Sequence, residues 1–211
     1  MVKKVTVCIA SCLWVLLLFS HCGSLARGPE DNGGVLAKST FDADAEGWST
    51  AGDALSITFH DTGGSSGDNG GYVSALDKSL AEPWYFVAPA AFLGDQERAY
   101  GGSLDYDLKQ DTLYSQLDFE EVIFLTGKIG QTEETLIYKC PDFPGLDWTA
   151  YTVPLKARRG WSKQSDGTKP TRAEMREVLS TLKDLRIRGE YSSRVDMGSL
   201  DSVYLRSRAR R

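Results

Sequence analysis

Along most of this chain, apolar and polar residues alternate with a period of two. Leu55, Ile57 and Phe59 are separated by Ser56 and Thr58, and Leu104, Tyr106 and Leu108 by Asp105 and Asp107. Tyr151, Val153 and Leu155 repeat the pattern, as do Leu185 with Ile187 and Val203 with Leu205. Successive side chains of a strand point to opposite faces, so this spacing predicts half-buried strands. Val122-Ile123-Phe124-Leu125 and Leu136-Ile137-Tyr138 are short unbroken apolar runs, as fully buried strands would have. The run from Trp84-Tyr85-Phe86-Val87-Ala88-Pro89 through Phe92-Leu93-Gly94-Asp95 to Tyr100-Gly101-Gly102-Ser103-Leu104 mixes rings with glycine and proline. Those residues penalise a helix interior, so it reads as a strand, a structured turn and another strand. Turn-rich segments at 61–71, 127–130, 141–145 and 165–170 punctuate the series, and Tyr72-Val73 opens a strand after the first of them. The pattern predicts a mostly β chain folded as an antiparallel β-sandwich.

One segment changes period. Thr171-Arg172-Ala173-Glu174 is a capping box. Met175, Val178, Leu179, Leu182 and Leu185 then recur at helical spacing. This predicts one short amphipathic helix of about three turns. A core-facing stripe covering an end or edge of the sandwich is expected over a partner-docking face.

The first residues carry a different signal. Lys3 and Lys4 precede an apolar run from Val5 to Phe19, and Ser24-Leu25-Ala26 supplies small residues. Residues 1–26 therefore read as a secretory signal peptide cut after Ala26, and the expected location is secreted and extracellular. The run is too short for a confident membrane span, so no stable span is expected once it is removed. A retained anchor is the alternative, as is a lipid on Cys22, although His21 fits poorly before it. Residues 27–38 are Gly-rich and polar and are expected to be a disordered lead-in to a domain over 39–205. A basic tail, 206–211, follows with Arg206, Arg208, Arg210 and Arg211. It is read as a soluble tail, with polyanion binding or processing as alternatives.

Residues 1–26 hold two of the 24 basic side chains and none of the 29 acidic ones, so the chain without them carries −7 in place of −5. That charge excludes a nucleic-acid partner. Cys8, Cys12 and Cys22 lie in the signal, which leaves Cys140. A secreted domain with one cysteine is not disulfide-stapled. Cys140 is expected as a buried thiol, with an intermolecular link as the alternative.

Catalytic signals are thin. His60 is the only histidine after the signal, and there is no Gly-x-Ser-x-Gly elbow. Glu120-Glu121 and Glu133-Glu134 are adjacent pairs, and neighbours on a strand face opposite ways. No His/Cys set suits zinc, and 63–71 lacks the Lys-Ser/Thr ending of a phosphate loop. Asp42-Ala43-Asp44-Ala45-Glu46-Gly47, with Asp53, echoes a calcium loop, but no helix precedes it. Trp84, Tyr85, Trp148, Tyr151 and Trp161 are rings on which a sugar can stack. Most of them are expected in the core and one or two at the surface, so no binding residue is singled out.

The rings and turns also fall in a recognisable order. Phe41-Asp42 and Glu46-Gly47-Trp48 are followed by Asp68-Asn69-Gly70-Gly71-Tyr72-Val73, the Trp84 to Pro89 run, and Phe92-Leu93-Gly94-Asp95-Gln96. Tyr100-Gly101-Gly102-Ser103-Leu104-Asp105-Tyr106-Asp107-Leu108, Asp147-Trp148-Thr149-Ala150-Tyr151, Trp161, Val178-Leu179, Leu185-Arg186-Ile187-Arg188-Gly189-Glu190-Tyr191 and Leu200-Asp201-Ser202-Val203 complete it. From about residue 39 to 205 the chain resembles the laminin B domain, also called laminin IV type A. The resemblance implies an extracellular β-sandwich similar to the galactose-binding-like jelly rolls, with no catalytic activity. It also implies that calcium can pin the chain ends, here through Asp42 and Asp201; the alternative is that both aspartates cap turns. The flanking cysteine-rich repeats of the family are not seen here, so basement-membrane assembly is not carried over. The expectation is a secreted, non-enzymatic module that binds an extracellular glycan or matrix protein. A carbohydrate-active hydrolase and a purely structural surface component are the alternatives.

Overall fold

The computed structural model describes residues 34–67, 70–79, 83–113 and 120–209. The expected signal over 1–26, Cys22, Arg210 and Arg211 lie outside these residues. The strands are β1 (Val35–Ser39), β2 (Ser49–Ala51), β3 (Thr58–His60), β4 (Tyr72–Leu76), β5 (Tyr85–Val87), β6 (Ser103–Gln110), β7 (Glu121–Ile129), β8 (Thr132–Lys139), β9 (Thr149–Pro154), β10 (Trp161–Lys163), β11 (Asp184–Arg188) and β12 (Met197–Arg206). Helix α1 (Arg172–Ser180) lies between β10 and β11.

Two antiparallel sheets form the predicted sandwich. The first runs β3-β4-β12-β6-β9, with β1 also on β12, and the second runs β10-β8-β7-β11-β5-β2. Period-two alternation decides which side chains lie between them. Leu104, Tyr106 and Leu108 are sealed inside with Ile123, Leu125, Leu136, Val153 and Ile187. Removing such apolar area from water is the main favourable term in folding.

Chain order and pairing explain three departures from expectation. The lead-in expected over 27–38 already contains β1 from Val35. On one edge of β12, β4 pairs only with Met197–Leu200, and β1 takes Val203–Arg206 of the same edge. Partner availability, not local propensity, orders this segment. Second, α1 ends at Ser180, earlier than the apolar spacing indicated. Leu182 instead bridges Gly94, and Leu185 pairs with Leu125 of β7. The capping box is present as predicted, with Thr171 Oγ1 accepting from Glu174 N–H, and Met175, Val178 and Leu179 are buried. Third, the turn expected over 127–130 shrinks to Gly130-Gln131, because Ile129 pairs with Thr132. Gly127 belongs to β7, where a Cβ would come within 2.4 Å of the Val178 carbonyl oxygen. Its missing side chain is what lets α1 rest on the sheet.

Candidate functional site

Pairing carries one row of outward side chains straight across the second sheet. Ser162, Ile137, Phe124, Arg186 and Val87 are successive partners on β10, β8, β7, β11 and β5. Strands lie about 4.8 Å apart, so the row is about 19 Å long. Tyr85, two residues from Val87, shares this face. Its ring meets that of Phe124 edge to face, with centroids 5.0 Å apart and planes at 76°. Both rings are half-buried and border an open cavity of ≈ 560 Å³. Thr126, Thr135 and Gln164 add polar groups to its walls. The Thr126 and Thr135 hydroxyls lie 2.9 Å apart across β7 and β8. A second cavity of ≈ 560 Å³ adjoins the first at Gln164 and is bordered by Ser162, Lys139, Arg158 and Lys169. Together they make a groove along one face of the sandwich, with an aromatic ledge at one end.

Charge in the groove is largely paired. Arg186 Nε lies 2.6 Å from Asp184, Lys139 Nζ lies 2.7 Å from Glu121, and Lys183 pairs with Glu133. The hydrogen bond from Lys139 holds the Glu121 carboxyl below its usual range.

The structure sorts the five sequence-named rings. Trp84, Tyr151 and Trp161 are sealed in the core, while Tyr85 and Trp148 are half-exposed. Tyr85 joins the groove. Trp148 lies on the first sheet's outer side, edge-on to Tyr72 at 5.4 Å, with Lys109 Nζ 4.5 Å from both ring centroids. His60 stacks on Tyr72 at 4.3 Å, and its Nε2 lies 2.8 Å from Ser74 Oγ.

Asp42 and Asp201 have different surroundings. Asp42 is exposed and accepts from Thr40 Oγ1 at 2.8 Å. Asp201 is buried, and its Oδ2 accepts from Ser65 N–H at 2.7 Å and Ser65 Oγ at 2.9 Å, while Oδ1 accepts from Ser202 N–H. The Asp201 carboxylate thus accepts three hydrogen bonds from Ser65 and Ser202, whereas the Asp42 carboxylate is bonded to Thr40. Among the described residues no group of three or more His, Cys, Asp or Glu side chains is placed to hold a metal. Cys140 is buried as expected, and it is disulfide-bonded rather than a free thiol.

Phe124, Arg158 and Lys169 are among the groove residues that escaped the sequence reading. Phe124 sits in a run that looked wholly buried, and only its register with Ile137 and Arg186 turns it outward. Arg158 and Lys169 come from the loops flanking β10. The available signal for Arg158 was the basic run Lys156-Ala157-Arg158-Arg159-Gly160 just before Trp161.

Residues 85–211 match the family model for Laminin B (Domain IV). The chain is 28% identical over 189 residues to the laminin-like protein lam-2 of Caenorhabditis elegans, covering 89% of this chain and 11% of that protein. It is 31% identical over 125 residues to laminin subunit gamma-1 of Homo sapiens, covering 59% and 8% respectively. The chain thus spans about a tenth of the length of these relatives. Among solved structures, the L4b domain of human laminin alpha-2 superposes with a TM-score of 0.56 at 15% identity, covering 64% of this chain and 79% of that one. The family 11 carbohydrate-binding module of cellulase Lic26A-Cel5E of Clostridium thermocellum gives 0.52 at 15% identity, covering 86% and 98%. A Clostridium thermocellum family 11 module in complex with a β-1,3-1,4-mixed-linked tetrasaccharide gives 0.50 at 14% identity, covering 84% and 100%. At these identities the likeness is one of fold. Among the described residues no helix is long and apolar enough to cross a membrane.

Proposed function

The chain belongs to the laminin B (domain IV) family, and from that premise we propose that it is a secreted, non-catalytic module that binds a polysaccharide along the outer groove of its second sheet. The observation that carries this reading is the Tyr85–Phe124 ledge bordering a groove lined with hydroxyl, amide and charged groups. Sugar rings present apolar faces and hydroxyl edges, and such a surface meets both: rings against the faces, Thr126, Thr135 and Gln164 toward the hydroxyls. The shared fold with a carbohydrate-binding module whose structure holds a tetrasaccharide supports the same reading. The signal sequence and the laminin relatives support an extracellular site of action.

The carboxylates argue for binding over hydrolysis. A glycosidase needs one carboxyl held protonated beside the scissile bond. In the groove, Glu121, Glu133 and Asp184 are each tied to a cation, and Glu121 is pushed toward ionisation, the wrong direction for a general acid. A matrix-protein partner is the other reading the sequence raised; the groove's shape and mixed lining favour a chain of sugar rings.

Affinity electrophoresis of the purified protein through gels containing individual polysaccharides tests the proposal. Retardation by at least one polymer is expected, and Tyr85→Ala and Phe124→Ala should each weaken it at least tenfold without changing the melting temperature by more than a few degrees. Retardation by none, or undiminished retardation of both variants, overturns it.

A further inference from the structure

The two ends of the groove differ in charge. At the ledge, Arg186 and Lys183 are each balanced by a carboxylate, Asp184 and Glu133. Beyond Gln164, four basic side chains, Lys139, Arg158, Lys163 and Lys169, border the groove with a single acidic one, Glu121. Lys139 pairs with Glu121, and Lys163 is held by Asp166 at 3.2 Å and Glu174 at 3.4 Å. Arg158 and Lys169 are exposed, and neither lies within ion-pair distance of a carboxylate among the described residues. The chain as a whole is acidic at −5, so this local excess runs against its average composition.

Both cations stand on fixed backbone. The turn carrying Arg158 is closed by Arg159 N–H donating to the Lys156 carbonyl at 3.2 Å, and Gly160 receives Lys139 N–H at 3.1 Å. Arg158 itself holds φ +66°, a left-handed conformation that costs a side-chain-bearing residue about 1 kcal/mol. The turn before Lys169 is tied to β10 by Gly167 N–H donating to Lys163 at 2.9 Å and Lys163 N–H donating to Thr168 at 2.8 Å. Two pinned loops thus present one guanidinium and one ammonium on either side of β10.

From this we infer that the groove's ligand is an anionic polysaccharide, its sugar rings on Tyr85 and Phe124 and its sulfate or carboxylate groups on Arg158 and Lys169. This rests on the groove reading above and adds the class of polymer. A guanidinium grips a planar carboxylate or a sulfate with two parallel hydrogen bonds, and an ammonium adds a point charge. The contacts are exposed and therefore salt-sensitive.

The test compares the full chain against carrageenan (sulfated, without uronate), polygalacturonate (uronate) and mixed-linked β-glucan (neutral) by titration calorimetry at low and high salt. At least one acidic polymer is expected to bind tenfold or more tighter than the neutral one, and to lose at least that factor at 0.5 M salt, about three times the ionic strength at which screening already acts within about 8 Å. Arg158→Glu with Lys169→Glu should erase the preference while leaving the melting curve in place. Which acidic polymer binds separates sulfate from carboxylate recognition. Equal binding of neutral and acidic polymers, abolished by Tyr85→Ala, overturns this inference and leaves the groove reading standing. Acidic binding that ignores Tyr85→Ala and the double reversal but falls with Arg208→Glu moves the site to the C-terminal arginines and overturns both. Binding to none of the three removes the anionic class.

Discussion

The indole of Trp84 lies against the α-carbon of Gly189 so closely that a Cβ at 189 would come within 2.0 Å of its ring. Trp84 is fully buried, and Gly198 backs the same ring, where a Cβ would lie 3.0 Å from it. The ring is rigid and enclosed, so it has no free space to yield. Gly189→Ala is therefore an overpacking change, expected to cost about 2–3 kcal/mol. Urea unfolding followed by tryptophan fluorescence should show a lower midpoint with an unchanged slope. A variant as stable as the parent would mean that the indole can shift.

A second consequence follows from the carboxylates near that ring. Glu190 and Asp196 are 4% and 1% exposed. Burial, followed by the Asp77 charge, pushes Glu190 up to about 7, with Asp53 adding to the rise and the Arg188 guanidinium opposing it. Burial, then Glu190, Asp111 and Asp77, push Asp196 up to about 7 as well. Both lie above their unfolded values of about 4, so the folded chain holds protons that the unfolded chain has already released. Their contribution is complete below about pH 4 and is lost as pH rises through about 7. The melting temperature is expected to climb by roughly 5 °C or more between pH 7.5 and pH 5. Asp196→Asn should raise it at pH 7.5 and flatten the climb. A parent protein whose melting point stays level or drops over that interval would contradict the assignment.

Local pattern made the sandwich legible where the two faces of a strand differ in polarity. Leu104, Tyr106 and Leu108 announce β6 because Asp105 and Asp107 alternate with them, and the Thr171–Glu174 box announces α1 because its two hydrogen bonds are local. β1 and β10 were invisible, since each is short and owes its order to a distant partner, β12 and β8. The groove was hidden for the same reason. Trp84, Tyr85 and Phe86 are consecutive rings, and only pairing with β11 and β2 decides that the middle one faces outward. Arg158 and Lys169 come onto the same face as the ledge only through the order of strands in the second sheet.

Asp42 and Asp201 allow a direct test of the cation that the family resemblance implied. Ser65 and Ser202 already donate three hydrogen bonds to the Asp201 carboxylate, so a calcium ion there would compete with them for its lone pairs. A ligand specific for the native state raises its melting temperature. Excess chelator is therefore expected to leave the melting curve unchanged, as is added calcium. A drop on chelation that calcium restores would show that Ser65 gives way to a cation at Asp201.

The contact between His60 and Ser74 invites a hydrolytic reading, since 2.8 Å is hydrogen-bond distance between a base and a hydroxyl nucleophile. Its setting argues otherwise. Ser74 is 2% exposed and lies in the middle of β4, paired with Thr58 on one side and Ser199 on the other. Its backbone amides are committed to the sheet, whereas an activated serine stands on a sharp turn with free N–H groups beside it for the oxyanion. The imidazole is oriented by its stack on Tyr72, at an interplanar angle of 10°, rather than by a buried carboxylate. A fluorophosphonate reagent, which labels activated serines, is expected to leave the folded protein unmodified by mass spectrometry. Ser74→Ala should lower stability by about 1 kcal/mol, the worth of one hydrogen bond, and leave polysaccharide binding on the opposite sheet untouched. Stoichiometric labelling at Ser74 would instead make this pair a catalytic dyad and reopen the hydrolase reading.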